Sequence, residues 1–279
     1  MTEKQIFVAF GDARYQVHRS WGVLPDAPKF AGLSKGAVDS QGYLYICQRT
    51  DPPIIVLAPD GRYDRSFGDG QIMDSHGIFI TDDDHILIVD RDGHQVICFD
   101  KQGKTLFTLG ERDRPRYQAP FNHPTDIAVG PTGDMYVSDG YANNRIHRFS
   151  ADGELIHSWG TPGAGPGEFT TPHGIGVLPD GRVLAGDREN NRVQVFDGEG
   201  TYLTEWGNFY KPMDIYVDRD LVYVSDQIPR VTALTHEGKV VGACKPVPLL
   251  PHGVRGDKDG NLYFVDTRST TVTKIVPIP

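Results

Sequence analysis

The feature that most constrains the fold is an internal repeat. Residues 123–160 read HPTDIAVGPTGDMYVSDGYANNRIHRFSADGELIHSWG, and residues 171–207 read TPHGIGVLPDGRVLAGDRENNRVQVFDGEGTYLTEWG. Each segment contains four alternating apolar stretches separated by glycine-containing turns, which is typical of a four-stranded antiparallel sheet. Less perfect copies begin at Leu33, Ser75, Lys211 and Pro251. Six units spaced by about 40 to 50 residues predict an all-β, six-bladed β-propeller with four-stranded blades.

The two ends of the chain are predicted to meet in one blade. The unit that begins at Pro251 runs out after three strands, at TKIVPIP, whereas YQVHRSWG at residues 15–22 resembles ELIHSWG at residues 154–160. We therefore expect the N-terminal strand to complete the last blade and close the ring, which also removes an exposed sheet edge. This arrangement makes residues 1–279 a single domain.

Composition excludes several classes of protein. No stretch approaches the ~18 consecutive apolar residues of a membrane helix, and the N-terminus lacks the pattern of a signal peptide. Only three cysteines are present, Cys47, Cys98 and Cys244, which favours a reducing compartment and a cytoplasmic location. The net charge of -9 argues against nucleic acid or an anionic membrane as a partner. None of these features sets the oligomeric state.

One position differs between the blades in a regular way. When the blades are aligned on their turns, the start of the innermost strand is Ser34, His76, Thr125, His173, Met213 and His252. Three histidines among six equivalent positions would arise by chance about once in a thousand at this composition. Innermost strands line the channel of a propeller, so imidazoles from alternate blades converge on its axis. Three imidazoles and an open fourth position are typical of catalytic zinc, although imidazole also suits iron, copper and nickel.

The loops that leave the second strands offer further candidates. They contain Arg49, Arg91, Tyr141 and Arg188, all expected at the mouth of the channel. An arginine there would bind a substrate carboxylate, and a tyrosine beside an arginine and a metal would serve as a base. The same residues also fit a purely structural role in the repeat, and both interpretations stay open on the residues alone.

The sequence resembles two nested families. DGYANNRIHRF, GAGPGEFTTPHGIGV and DRENNRVQVF look like NHL repeats. From Ser75 onward the chain is similar to the catalytic core of peptidylglycine α-amidating lyase, a zinc enzyme family, through HPTDIAV, YVSDGYANNRIHRF, GEFTTPHGIGV and LPHGV. The resemblance implies that zinc binds to His76, His173 and His252. It also implies a catalytic role for Tyr141, Arg188 and Arg49, whereas Arg91 has no family counterpart and is predicted to be scaffold.

The chain departs from that family at several positions. The family's structural calcium uses an aspartate directly after the last zinc histidine, and Gly253 stands there, which argues against calcium. Leu250 replaces a methionine of the pocket wall. The family's disulfide cysteines are replaced by Asn122, Ala142, Leu184 and Val195, in keeping with a cytoplasmic protein.

Three functions follow as expectations. The first is a zinc-dependent lyase that cleaves the carbon–nitrogen bond of a small α-hydroxyglycine-type carboxylate to an amide and glyoxylate, without an organic cofactor. The second is a zinc-dependent hydrolase or hydratase of a small carboxylate or lactone on the same scaffold. The third is a non-enzymatic NHL platform, for which three converging histidines would be unnecessary.

Overall fold

Six antiparallel sheets surround a central channel, as the repeat predicts. The computed structural model describes residues 5–26, 28–246 and 249–279. From the channel outward, the strands of blade 1 are Leu33–Val38, Leu44–Gln48, Ile54–Leu57 and Tyr63–Phe67. Those of blade 2 are Ser75–Ile80, Ile86–Asp90, Gln95–Phe99 and Thr105–Gly110. Those of blade 3 are Asp126–Val129, Met135–Asp139, Arg145–Phe149 and Leu155–Trp159. The strands of blade 4 are Pro172–Val177, Val183–Asp187, Arg192–Phe196 and Tyr202–Trp206. Those of blade 5 are Pro212–Val217, Val222–Asp226, Arg230–Leu234 and Val240–Cys244. Those of blade 6 are Pro251–Gly256, Leu262–Asp266, Thr271–Ile278 and Ala13–His18.

The N-terminal strand closes the ring in the predicted way. Ala13–His18 pairs antiparallel with Thr271–Ile278, with Val17 opposite Ile275. The amide of Trp21 continues the pairing by donating to the carbonyl of Val272 at 2.8 Å. Blade 6 also carries a fifth strand, Ile6–Phe10, which forms a hairpin with Ala13–His18 and which the sequence did not predict.

The core lies between the blades, because each sheet is covered on both faces by its neighbours. The middle strands are therefore fully buried and mostly apolar, as in Ile86–Asp90 and Gln95–Phe99, whereas the outermost strands are largely exposed. Trp159 and Trp206 end two of these outer strands and are buried against residues of the next blade. Trp21 packs edge-on against Tyr263, with ring centroids 5.2 Å apart.

A buried aspartate at the end of the second strand connects the loops of each blade from 2 to 6. Asp139 accepts a hydrogen bond from the amide of Asn122 at 3.0 Å, and Asp187 accepts one from Thr170 at 2.8 Å. Asp90, Asp226 and Asp266 make equivalent bonds in blades 2, 5 and 6. Because these carboxylates hold the segment that enters the innermost strand, the residues that follow them lie at one mouth of the channel.

Two shorter elements complete the described chain. Thr161–Pro162 and Glu168–Phe169 form a small parallel ladder between blades 3 and 4, and Arg188–Asn190 is a 3-10 turn. Across the described residues, no helix has the length and apolar character that a membrane crossing requires. The three cysteines are free.

Candidate metal centre

Three histidines meet on the channel axis. His76, His173 and His252 are each the second residue of an innermost strand, on blades 2, 4 and 6. Their ring centroids are 5.0, 5.0 and 5.1 Å apart, close to an equilateral triangle. One nitrogen from each ring lies within 4.8 Å of the others, and all three residues are buried. The structure therefore brings together the three predicted ligands in a group that could hold a metal ion.

Backbone carbonyls from the intervening blades fix the orientation of the three rings. His76 donates through Nδ1 to the carbonyl of Thr125 at 2.6 Å, and His173 donates to Met213 at 2.6 Å. His252 donates to Ser34 at 3.2 Å. These bonds assign the proton to Nδ1 and leave the lone pair of Nε2 for a ligand, the arrangement usual for metal-binding imidazoles.

The environment keeps the imidazoles neutral. Burial, followed by the neighbouring histidines, lowers the pKa of His173 well below its ordinary value. Burial and the charge of Lys35 lower the pKa of His252 to about 3. Neutral imidazole is the form that binds a metal, so the site is competent at neutral pH without prior deprotonation.

Tyr141 lies directly above the triad. Its hydroxyl is 2.9 Å from Nε2 of His76 and 3.0 Å from Nε2 of His173. The loop can approach the axis because Gly140 precedes the tyrosine: a Cβ at Gly140 would lie 1.8 Å from the carbonyl oxygen of Pro172. A single hydroxyl proton can satisfy only one of two Nε2 lone pairs. The Nε2 lone pairs that receive no proton therefore remain able to bind a cation, and three imidazole nitrogens are a ligand set that fits zinc.

Two guanidinium groups cover the ring of Tyr141. Cζ of Arg188 is 5.3 Å from the ring centroid, and a nitrogen of Arg188 lies 3.4 Å from the Tyr141 hydroxyl. Cζ of Arg91 is 5.5 Å from the same centroid. Arg91 was predicted to be scaffold from its lack of a family counterpart; the structure places its guanidinium beside Tyr141, paired with Asp74 at 2.8 Å. Its position after the second strand of blade 2, equivalent to that of Arg188, was the available signal.

Arg49 lies at the same mouth but further from Tyr141. Its Nε is 4.0 Å from Oδ1 of Asp74, and both atoms are buried without a hydrogen-bond partner among the described residues. Arg49 lines a cavity of about 170 Å³ together with Thr50, Ile72 and Met73. The Nε–H of Arg49 is thus an unused hydrogen-bond donor next to a small cavity, which suits binding of a polar ligand in that cavity. Arg49 therefore stays a predicted site residue.

His123 supports the loop that carries the tyrosine. Its carbonyl accepts the amide of Tyr141 at 3.3 Å, and its ring packs edge-on against His94 at 4.4 Å. It is not among the three histidines on the axis.

Comparisons with known proteins agree with this architecture. The sequence profile of the NHL repeat matches residues 121–149 and 169–196. Human NHL repeat-containing protein 3 is 31% identical over 274 residues, which cover 87% of this chain and 78% of that protein. Rat peptidylglycine alpha-amidating monooxygenase is 31% identical over 224 residues, 71% of this chain but only 23% of the relative, so the chain spans less than a quarter of that protein's length in the match.

Two further proteins are similar over different extents. Peptidyl-alpha-hydroxyglycine alpha-amidating lyase 1 of Drosophila melanogaster is 34% identical over 169 residues, 56% of this chain and 31% of that protein. Among solved structures, a gluconolactonase from Xanthomonas campestris superimposes with a TM-score of 0.74 over 99% of this chain and 95% of its own, at 14% identity. That likeness shows the propeller fold alone, whereas the match to the human protein covers both chains, and the chain belongs to the family of NHL-repeat β-propeller proteins.

Proposed function

We propose that this protein is a zinc-dependent lyase that cleaves the carbon–nitrogen bond of an α-hydroxyglycine-type substrate and releases an amide and glyoxylate. The observation that carries the proposal is the position of the Tyr141 hydroxyl, about 3 Å from two of the three converging imidazoles and beneath the guanidinium of Arg188. A proton-transfer group, a metal-binding triad and a carboxylate-binding group are thus adjacent.

His76, His173 and His252 would hold the zinc through Nε2. When bound there, zinc supplies Lewis acidity beside Tyr141. Imidazole ligands on a rigid ring of strands require no rearrangement of the chain to bind it, since their Nδ1 atoms are already engaged by carbonyls.

The arginines orient the substrate. Arg188 would bind the carboxylate in the fork geometry that guanidinium and carboxylate share, with Arg49 acting from blade 1. Glu189 accepts from Nε of Arg188 at 2.9 Å and holds that side chain toward the tyrosine. Arg91, with Cζ 5.5 Å from the centroid of the Tyr141 ring, places a second positive charge beside the tyrosine.

Tyr141 moves the proton. Acting as a base, it takes the proton from the α-hydroxyl of R–CO–NH–CH(OH)–COO⁻. The electron pair of that oxygen forms the aldehyde as the carbon–nitrogen bond breaks, and the nitrogen takes the proton back from the tyrosine. The products are R–CO–NH₂ and glyoxylate, so atoms and charge balance and no redox partner is needed.

The relatives with enzyme names favour this reaction over a hydrolase, and the buried triad favours it over a binding platform. Relatives named for peptide amidation and for α-hydroxyglycine lyase activity share sequence over much of the chain, whereas the gluconolactonase shares only the fold. A binding platform would have no use for three buried imidazoles beneath a tyrosine.

The decisive test is glyoxylate release from N-benzoyl-α-hydroxyglycine by the zinc-loaded protein. Tyr141→Phe should lower kcat about a hundredfold or more, as expected for loss of a general base, while zinc stays bound. Tyr202→Phe, on the outermost strand of blade 4, is the matched control and should keep full activity. A protein that opens lactones but releases no glyoxylate from any α-hydroxyglycine derivative would support the hydrolase instead.

A further inference from the structure

A second layer of residues lies next to the histidine triad along the channel. It is formed by the residue that follows each channel position, which is charged on blades 1, 3 and 5 and glycine on blades 2, 4 and 6: Lys35, Gly77, Asp126, Gly174, Asp214 and Gly253. The odd-numbered blades thus carry charge at the level where the even-numbered blades carry no side chain.

The three charged side chains meet across the channel. Nζ of Lys35 lies 2.6 Å from Oδ2 of Asp126 and 2.8 Å from Oδ1 of Asp214, and all three side chains are fully buried. Arg255 adds a second cation 3.3 Å from Oδ2 of Asp214. Two positive and two negative charges therefore balance, as buried charges require. One ammonium joins blades 1, 3 and 5, which share no sheet.

The glycines are needed for this layer. A Cβ at Gly77 would lie 2.8 Å from Cα of Asp126, and one at Gly174 would lie 2.9 Å from Cα of Asp214. A Cβ at Gly253 would lie 2.9 Å from Cα of Lys35. An aspartate at position 253, which the amidating-lyase pattern uses to bind calcium, therefore does not fit beside this lysine. The carboxylate that this pattern assigns to calcium is absent, and an ammonium bridges the two carboxylates that are present.

The charged layer also supports the histidines. Ser34, Thr125 and Met213 immediately precede Lys35, Asp126 and Asp214 in the chain. Their carbonyls are the acceptors for Nδ1 of His252, His76 and His173, respectively. Any movement of the three charged residues would shift the carbonyls that orient the metal-binding rings.

We propose that Lys35 is a built-in cation that takes the place of a structural divalent ion, and that Lys35, Asp126 and Asp214 are positioning residues for the histidine triad. The lysine ties the three odd-numbered blades together, and the tied strands present the carbonyls that orient the imidazoles. This role needs the triad to bind a metal and does not rest on the lyase reaction.

The first measurement is the response of the wild-type protein to calcium alone. The melting temperature should be the same in excess Ca²⁺ and in a calcium-selective chelator, with zinc held saturating. Oδ1 of Asp126 has no hydrogen-bond partner among the described residues, so a calcium ion bound beside Lys35 is a real competitor to the proposal. Stabilisation of the wild type by calcium would overturn it.

The second measurement uses Lys35→Met, which keeps the length of the side chain and removes its charge. The melting temperature should fall because two buried carboxylates lose their cation, and zinc affinity should fall about tenfold or more, as for loss of support to metal ligands. Ile55→Ala, on the third strand of blade 1, is the matched control: it should lower the melting temperature without changing zinc affinity. Equal zinc affinity in Lys35→Met and the wild type would refute the positioning role.

A third variant keeps the test decisive if Lys35→Met does not fold. Lys35→Met/Asp126→Asn removes one carboxylate together with the ammonium and leaves Asp214 paired with Arg255, so the buried charges still balance. It should fold and still bind zinc more weakly than the wild type, because the ion pairs of Lys35 that hold the three strands together are lost. Zinc binding as tight as in the wild type would show that the charges have no positioning role.

Discussion

The even-numbered and odd-numbered blades use the same inner strand for different purposes. Blades 2, 4 and 6 present a histidine side chain followed by a glycine, as in His173 and Gly174, whereas blade 5 presents Met213 followed by Asp214. The even blades supply nitrogen ligands, and the odd blades supply the carbonyls that orient them. The comparison teaches that equivalent positions of a repeat can divide into a binding set and a supporting set while the scaffold stays constant.

The largest effect should come from opening the ring. Deleting residues 1–22 removes the strand that pairs with Thr271–Ile278. We expect the free energy of unfolding to fall by several kcal/mol, because blades 1 and 6 lose shared packing. Urea unfolding monitored by tryptophan fluorescence measures this loss.

A shorter deletion separates closure from simple strand removal. Deleting residues 1–9 removes most of the extra strand Ile6–Phe10 but keeps the buried Phe10 and the strand Ala13–His18, and it should lower the free energy of unfolding much less. Equal losses for the two deletions would contradict a special role for the closing strand.

The next effect tests the division between the blade sets directly. His173→Ala should weaken zinc binding on the order of a thousandfold, because each ligand contributes several kcal/mol of binding free energy. Met213→Ala is the equivalent change on an odd-numbered blade and should leave affinity within a few fold, since Met213 contributes its carbonyl. Competition with a chromogenic chelator measures the zinc affinity of both variants. Similar losses of affinity in the two variants would contradict the division of the blades into a binding set and a supporting set.

A smaller effect, on KM, is expected from the arginines at the mouth of the channel. Arg188→Ala should raise KM for N-benzoyl-α-hydroxyglycine about 10- to 100-fold, the value of one charge-assisted hydrogen bond, with zinc content unchanged. Arg49→Ala should give a smaller increase because Arg49 lies further from Tyr141. A fall in kcat without a change in KM would assign Arg188 to the chemical step.

The smallest effect should follow removal of the metal. The far-UV circular dichroism spectrum should not change after dialysis against a chelator, because the apolar core between the blades does not include the triad. A loss of β signal on chelation would mean that zinc holds the blades together.

The sequence was sufficient to predict the features that repeat and the one that alternates. The six blades, the closing strand around Tyr15 to Trp21 and the convergence of His76, His173 and His252 all follow from aligning the copies. Alignment succeeds here because equivalent positions in a propeller lie at equivalent distances from the axis.

The second layer was missed for a physical reason. In a regular strand successive side chains point to opposite faces, so regular alternation would turn the residue after each channel position away from the channel. The innermost strands instead contain irregularities in register at this point, for example between Ser75 and Gly77 and between Pro212 and Asp214. Such bulges re-aim side chains, and those of blades 1 and 5 bring Lys35 and Asp214 into the channel. The position of Arg91 beside Tyr141 was not predicted, because a family pattern that lacks this arginine was given more weight than its place in the blade.

The alternation of the inner strands also fixes the number of blades by parity. A ring that alternates two kinds of member must contain an even number of them. Loss or duplication of a single unit would place two histidine blades or two charged blades side by side, and Lys35 could no longer face both carboxylates from an alternate position. Propellers that gain or lose one repeat can keep a uniform scaffold, but this one would have to gain or lose repeats in pairs.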